Sequence, residues 1–136
     1  MKIMKSAEDY LEMMLMLKEK HGYIRSVDIA ASLGVSKPSV SYAVKRLKEN
    51  GYITMAEDGH ISLLPKGQEI AERIYERHQV LTRLFVDLGV DERIAQDDAC
   101  KVEHDLSEET FEAIRRHTTL MDQCLTAQSE DGAGRG

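Results

Sequence analysis

The sequence predicts a mostly α-helical chain with one small β-hairpin. Apolar residues recur at helical spacing in six segments, Gly and Pro separate these segments, and an Asp-Gly pair lies between two short runs rich in β-branched and aromatic residues. The chain has 136 residues, of which 42% are hydrophobic and 31% charged. This composition is typical of one globular domain, or of two small ones, and excludes a chain dominated by disorder.

The first two helices are short and have clear boundaries. Ser6 and Asp9 resemble a capping box, and the apolar spacing that follows predicts a helix over residues 7–20. A second helix begins at Ser26 and stops at Gly34, since Gly is the usual residue after a helix end.

The third helix and the hairpin complete an N-terminal unit. Ser36 is the expected N-cap, Pro38 is tolerated in the first turn, and the helix ends near Asn50. The runs Tyr52–Met55 and His60–Leu63 then predict two strands joined by a tight turn. Helix, short helix, helix and hairpin together predict a winged helix-turn-helix DNA-binding domain over residues 1–64.

The second half is predicted to be helical throughout. Helices are expected over 66–87, 91–104 and 107–125, forming a C-terminal helical domain over 65–125. The remaining residues, 126–136, are small and polar and are expected to be a disordered tail.

The charge distribution points to nucleic acid in the first half. The net charge is −6, but residues 1–64 carry nine Lys and Arg against eight Asp and Glu, whereas residues 65–136 carry nine against 16. Between Ser36 and Lys48 there are four basic residues and no acidic one. Phosphate contacts are therefore expected along the third helix.

The third helix has the polar surface of a recognition helix. It carries hydroxyl groups and cations but no Arg, Asn or Gln in its first two turns, so sequence preference is expected to depend on the van der Waals surface of the serines and on DNA shape. The alternative is a winged helix that contacts protein, with charges that only solvate one face. The predicted DNA-binding residues are Ser36, Lys37, Ser39, Ser41, Tyr42, Lys45, Arg46 and His60.

Three metal-ligand types lie together in the second half. Cys100, Glu103 and His104 have helical spacings of three and four residues, which put a thiolate, a carboxylate and an imidazole on one face. Taken alone, each has an ordinary explanation, since a helical Cys is usually a small core residue and His78 could be a surface histidine.

The combination resembles a known family. The helix-turn-helix, Leu64-Pro65-Lys66-Gly67, Arg77-His78 and Cys100-x-x-Glu103-His104 resemble the diphtheria toxin repressor family of metal-dependent transcriptional repressors. Glu8-Asp9-Tyr10-Leu11-Glu12 is similar to its manganese transport regulator branch. The metal ligands that this resemblance implies are Asp9, Glu12, His78, Cys100, Glu103 and His104.

Cys100 departs from the manganese branch. That branch has Glu at this position, whereas the iron-responsive branch has Cys but places Met where this chain has Asp9. Mn²⁺ prefers oxygen and imidazole ligands, and a thiolate improves a site for Fe²⁺, Co²⁺ or Zn²⁺. The implied cofactor is thus Mn²⁺ or Fe²⁺, with Co²⁺ or Zn²⁺ possible in vitro, and one or two ions per subunit.

The family resemblance implies a homodimer that represses metal-uptake genes from a palindromic double-stranded operator. Metal would limit the motion of each DNA-binding domain, so that the two recognition helices have the operator spacing before DNA binds. The dimer surface is expected from five apolar residues, with intramolecular core as the alternative for each. These residues are Leu84, Phe85, Leu88, Val90 and Ile94.

The sequence also excludes several classes of function. It has no stretch long enough for a membrane span, and we expect no secretion signal. Two Cys in a chain that is not exported would be reduced thiols, so we expect a cytoplasmic protein. No glycine-rich phosphate loop or nucleophile motif occurs, so neither an enzyme nor a small-molecule substrate is expected. Besides the protein-binding winged helix, a second alternative is a metal-independent winged-helix regulator that responds to another ligand.

Overall fold

A computed structural model of the chain describes residues 5–134, except for the side chains of 5, 122 and 125–134. The chain forms two compact units, an N-terminal unit that ends at Tyr75 and a C-terminal unit that begins at Glu76. The elements are α1 (Lys5–His21), β1 (Ile24–Arg25), α2 (Ser26–Leu33), α3 (Lys37–Glu49), β2 (Ile53–Met55), β3 (His60–Leu63), α4 (Pro65–Asp87), α5 (Glu92–Val102) and α6 (Glu108–Gly134). The predicted class, mostly α with a small hairpin, is confirmed.

The N-terminal unit is built around α1. Leu11 and Met14, one turn apart, are fully buried and belong to the same core as Ile29 of α2, Val40 of α3 and Ile53 of β2. Residues at this spacing share one face of a helix, so the apolar stripe read from the sequence is the stripe that is buried.

The turn between α2 and α3 follows the predicted chemistry. Gly34 caps α2 in the left-handed conformation, with φ 68°, and its N–H donates to the carbonyl of Ala30. Ser36 caps α3, since its hydroxyl accepts a hydrogen bond from the N–H of Ser39 at 3.3 Å, and Pro38 lies in the first turn. Glycine has no Cβ and adopts this conformation without strain, so α2 ends sharply and α3 begins after three intervening residues.

Replacing Ser36 by alanine is expected to destabilise the protein by about 1 kcal/mol, because the N–H of Ser39 loses its acceptor. Urea unfolding followed by circular dichroism measures this change as a lower midpoint. The matched control is Ser41→Ala, an exposed position inside the same helix. An equal effect of the two substitutions would contradict the capping role.

The hairpin belongs to a three-stranded antiparallel sheet of order β1-β3-β2. The predicted strands β2 and β3 pair with Ile53 opposite Leu63, and β1 adds Ile24 opposite Ile61. The two-residue strand β1 was not predicted, because a two-residue strand is too short to show an alternating pattern. It extends the sheet to the residues that immediately follow α1.

The entry to α4 brings two backbone segments into close contact. The N–H of Leu64 donates to the carbonyl of Tyr52 at 2.9 Å, and the ammonium of Lys66 lies 4.4 Å from the centre of the Tyr52 ring. Gly67 is buried and packs directly against the same carbonyl. A side chain has no room at this position, because a Cβ would overlap the Tyr52 oxygen. The start of α4 is therefore closely packed on the residue that precedes β2.

The C-terminal unit consists of the second part of α4 with α5 and α6. Its buried apolar residues include Leu81, Ala95, Ala99 and Phe111. Asp91 caps α5, since its carboxylate accepts from the N–H of Arg93 at 3.2 Å. Small residues on the buried face of α5 permit close helix packing.

Two predicted boundaries are wrong. The third helix of this unit, α6, continues to Gly134 rather than ending near Leu125, so residues 126–134 are helical and not a disordered tail. No Pro occurs there, and Ala, Gln and Glu favour a helix. In addition, α5 ends at Val102, with Glu103 as its C-cap and His104 in the following turn. The predicted tail residues 135–136 lie outside the described residues.

The predicted domain boundary after residue 64 coincides with the start of α4, whereas the division between the compact units falls within this helix. Among residues 5–134, no helix is long and apolar enough to cross a membrane.

Candidate metal centre and nucleic-acid interface

Three predicted ligands meet within the C-terminal unit. The Nδ1 atom of His78, on α4, lies 3.1 Å from Oε2 of Glu103, and Nε2 of His104 lies 3.4 Å from Oε1 of the same carboxylate. The side chain of Glu103 is completely buried and that of His104 is 1% exposed. One carboxylate is thus held between two imidazoles, away from water.

The carboxylate of Glu103 fits a metal ligand better than a closed hydrogen-bond network. Its Oε1 atom is buried and makes no hydrogen bond within the described part of the chain, although Nε2 of His104 lies 3.4 Å away. A buried polar atom without a partner is rare and costly in native proteins. Oxygen and imidazole nitrogen are the donors that first-row divalent cations bind, so these three residues fit such an ion.

The other predicted ligands have different settings. Cys100 is an exposed residue of α5, three residues before Glu103. Asp9 is half-buried and Glu12 is buried, and both lie on α1 in the N-terminal unit, one turn apart. Glu8 beside them is also buried and pairs with Arg73 at 3.5 Å.

The predicted DNA-binding residues lie on an exposed face of the N-terminal unit. Every one of them on or before α3 is exposed, whereas Val40, Val44 and Leu47 of the same helix are buried. The guanidinium of Arg46 donates to the hydroxyl of Tyr42 at 3.2 Å and lies over its ring, and this hydrogen bond raises the pKa of Arg46. The helix therefore separates its packing face from a face of hydroxyls and cations.

The hairpin carries its own cluster of polar and aromatic groups. The Nδ1 atom of His60 lies 2.8 Å from the carboxylate of Asp58, whose pKa is lowered, first by the backbone N–H of His60 and then by its imidazole. The Tyr23 ring stacks with His21 and meets His60 edge-on. The sequence analysis did not predict a role for Tyr23, because its contact with the hairpin depends on strand β1.

The predicted dimer residues are unequal in exposure. Leu88 is 73% exposed and Ile94 55% exposed, whereas Leu84, Phe85 and Val90 are half-buried. Leu120 and Met121 of α6 are exposed as well and were not predicted.

Sequence reasoning noted Arg77 only as a neighbour of His78. The structure places its guanidinium inside the C-terminal unit, where it donates to the backbone carbonyls of Glu103 and Leu106. No spacing in the sequence indicates this contact, because the partners lie 26 and 29 residues away.

Comparison with known proteins agrees with these features. Family models described as "Iron dependent repressor, N-terminal DNA binding domain" and "Iron dependent repressor, metal binding and dimerisation domain" match residues 2–61 and 64–129. The transcriptional regulator MntR of Escherichia coli O6:H1 is 40% identical over 111 residues, which cover 82% of this chain and 72% of that protein. The HTH-type transcriptional regulator MntR of Bacillus pumilus is 38% identical over 109 residues, covering 80% and 76%.

Solved structures share the fold. The T. acidophilum IdeR structure has a TM-score of 0.73 at 25% identity, covering 86% of this chain and 55% of that one. The structure of the manganese regulator SloR has a TM-score of 0.72 at 27% identity, covering 83% and 53%. This chain therefore spans about half the length of these two solved proteins. Since the family models match nearly the whole chain, it belongs to the iron-dependent repressor family of metal-dependent transcriptional repressors.

Proposed function

We propose that this chain is a metal-activated repressor that, as a homodimer in the cytoplasm, binds a palindromic operator and represses metal-uptake genes. The observation that carries the proposal is the buried carboxylate of Glu103 between the imidazoles of His78 and His104. This arrangement gains a counter-charge when a divalent cation binds, which offsets the cost of burying a carboxylate.

The proposed cation is Mn²⁺ or Fe²⁺. Oxygen and imidazole donors favour Mn²⁺, and the thiolate of Cys100 would favour Fe²⁺. When bound, the cation supplies positive charge and a fixed coordination geometry. With the acids of α1 carried over from the family resemblance, the proposed ligands are Asp9, Glu12, His78, Cys100, Glu103 and His104.

The proposed DNA interface is supported by the exposed face of α3. Its hydroxyls can contact base edges and phosphates, and its cations supply an affinity that falls with salt. His60 on the hairpin would contact the DNA backbone beside this helix. The proposed set is Ser36, Lys37, Ser39, Ser41, Tyr42, Lys45, Arg46 and His60.

Metal would act through the dimer. An operator with two-fold symmetry presents its half-sites about 34–36 Å apart, so two recognition helices must match this separation. A cation that orders the C-terminal unit reduces the entropy lost when the dimer binds DNA. The proposed contacts between subunits are Leu84, Phe85, Leu88, Val90 and Ile94.

The test is an anaerobic selection of random DNA duplexes with the purified protein in chelator, in Mn²⁺ and in Fe²⁺. We expect an inverted repeat to be enriched only with metal, by about 10-fold or more over chelator, which is within the usual range of coupling between two ligands. The cation that gives the stronger enrichment, Mn²⁺ or Fe²⁺, is the better activator of DNA binding. Equal enrichment in chelator would instead establish a metal-independent regulator, and no enrichment would favour a protein-binding winged helix.

A further inference from the structure

A single buried guanidinium holds the connection between α5 and α6. The Nη1 atom of Arg77 donates to the carbonyl of Glu103 at 3.0 Å and to the carbonyl of Leu106 at 2.8 Å. Its Nη2 atom donates to Oε1 of Glu108 at 3.3 Å, and the guanidinium carbon lies 5.0 Å from the Phe111 ring centre. The Arg77 side chain is only 7% exposed.

These acceptors follow one another along the chain. Glu103 caps the end of α5, Leu106 lies in the connection, and Glu108 begins α6. The last carbonyls of a helix receive no hydrogen bond from an N–H group of the same helix, so they need donors from elsewhere. Arg77 supplies such donors to the carbonyls of Glu103 and Leu106. These hydrogen bonds hold the backbone segment that carries the side chains of Glu103 and His104.

Adjacent residues of α4 therefore hold both parts of Glu103. Arg77 binds its backbone carbonyl, and His78 contacts its carboxylate at 3.1 Å. Metal ligands depend on partners that fix their orientation, and a site loses affinity when such partners are removed.

We propose that Arg77 is a positioning residue for the metal-binding Glu103, which sets the affinity of the site without contacting the cation. This inference rests on the proposed metal function. A guanidinium is always protonated and has no lone pair to offer a cation. Its planar fork can reach two carbonyls and a carboxylate together, which the single ammonium of a lysine cannot reproduce.

Stability alone does not account for this arrangement. The partner carboxylate of Glu108 is 69% exposed, so water screens the ion pair. The Nε atom of Arg77 is buried with no hydrogen-bond partner among the residues described. Buried ion pairs can often be replaced by apolar residues without loss of stability. The feature that an apolar residue could not supply is the fixed backbone at Glu103.

The test compares Arg77→Lys with Arg115→Lys in the full chain. Arg115 also belongs to the C-terminal unit and pairs with Glu76 and Glu112, but its side chain is 46% exposed. Mn²⁺ affinity is measured by calorimetric titration and ligand geometry by the visible absorption spectrum of the Co²⁺ form, under conditions where circular dichroism shows folded protein. We expect Arg77→Lys to weaken Mn²⁺ binding about 10- to 100-fold and to change the Co²⁺ spectrum, with wild-type behaviour for Arg115→Lys.

A second pair of variants avoids the buried position. Glu108 and Glu109 both lie in the first turn of α6, so replacing either by alanine has the same effect on helix charge. Of these two glutamates, only Glu108 accepts a hydrogen bond from Arg77 among the contacts described. We expect Glu108→Ala to weaken Mn²⁺ binding about 2- to 3-fold, less than Arg77→Lys does, and Glu109→Ala to leave it unchanged.

The outcomes separate this inference from the proposed function. Wild-type protein that binds no metal would refute the proposed function. Metal binding by wild type with equal affinity and an equal Co²⁺ spectrum in Arg77→Lys would overturn the positioning role alone. If Arg77→Lys does not fold, the same decision rests on Glu108→Ala against Glu109→Ala, and equal affinities for these two would overturn it.

Discussion

Replacing Glu103 by glutamine is expected to weaken Mn²⁺ binding more than about 100-fold, because a ligand contributes more than the groups that orient it. The amide has the shape of the carboxylate but no negative charge between the imidazoles of His78 and His104. At a metal concentration 100 times the wild-type dissociation constant, binding stabilises wild type by about 2.7 kcal/mol. Thermal unfolding with and without metal is expected to show this stabilisation in wild type and to lose it in the variant.

The control for this substitution is Asp105→Asn, which removes an exposed acid from the same connection. Without metal, Glu103→Gln is expected to be at least as stable as wild type, since a neutral amide is less costly to bury than a carboxylate. Metal-dependent stabilisation of Glu103→Gln equal to that of wild type would refute Glu103 as a ligand.

Replacing Gly67 by alanine is expected to destabilise the protein by about 1–3 kcal/mol. The new Cβ would overlap the carbonyl oxygen of Tyr52 and lie 3.1 Å from the carbonyl carbon and 3.4 Å from Cδ2 of Leu11. The overlapped atom is backbone, so α4 and the segment before β2 must separate. Urea unfolding followed by circular dichroism measures the loss as a lower midpoint.

The direction of the stability change in Gly67→Ala distinguishes a packing effect from helix propensity. Within a helix, alanine is normally more stable than glycine by about 1 kcal/mol, so helix propensity predicts the opposite change. Glu69→Ala, at an exposed position of the same helix, is the control and is expected to be nearly neutral. A stabilised Gly67→Ala variant would show that α4 and Tyr52 are not in close contact.

Most of the fold could be predicted because its signals are local. The apolar spacing around Leu11 and Met14, the cap at Ser36 and the Gly at 34 each act within one helical turn. Errors arose where a local signal was weak. The strand β1 has only two residues, and the end of α6 carries polar residues that are compatible with both helix and coil.

The candidate site was less accessible to sequence reasoning. The spacing of Glu103 and His104 indicated two neighbouring ligand types, but His78 joined them only through the family resemblance. Its distance of 3.1 Å from the carboxylate is set by the packing of α4 against the end of α5. The five predicted dimer residues likewise could not be sorted into exposed and half-buried ones by helical spacing, which serves core and interface equally.

By itself, the sequence determined the order and type of the elements, the caps of the helices and the polar face of α3, because these depend on residues within a few positions of one another. Tertiary structure alone decided that Glu103 is buried between two imidazoles and that Arg77 supplies donors to the carbonyls of Glu103 and Leu106. The contacts of Arg77 and His78 with this segment join residues more than 20 positions apart, and no local periodicity encodes which buried polar groups will lie together.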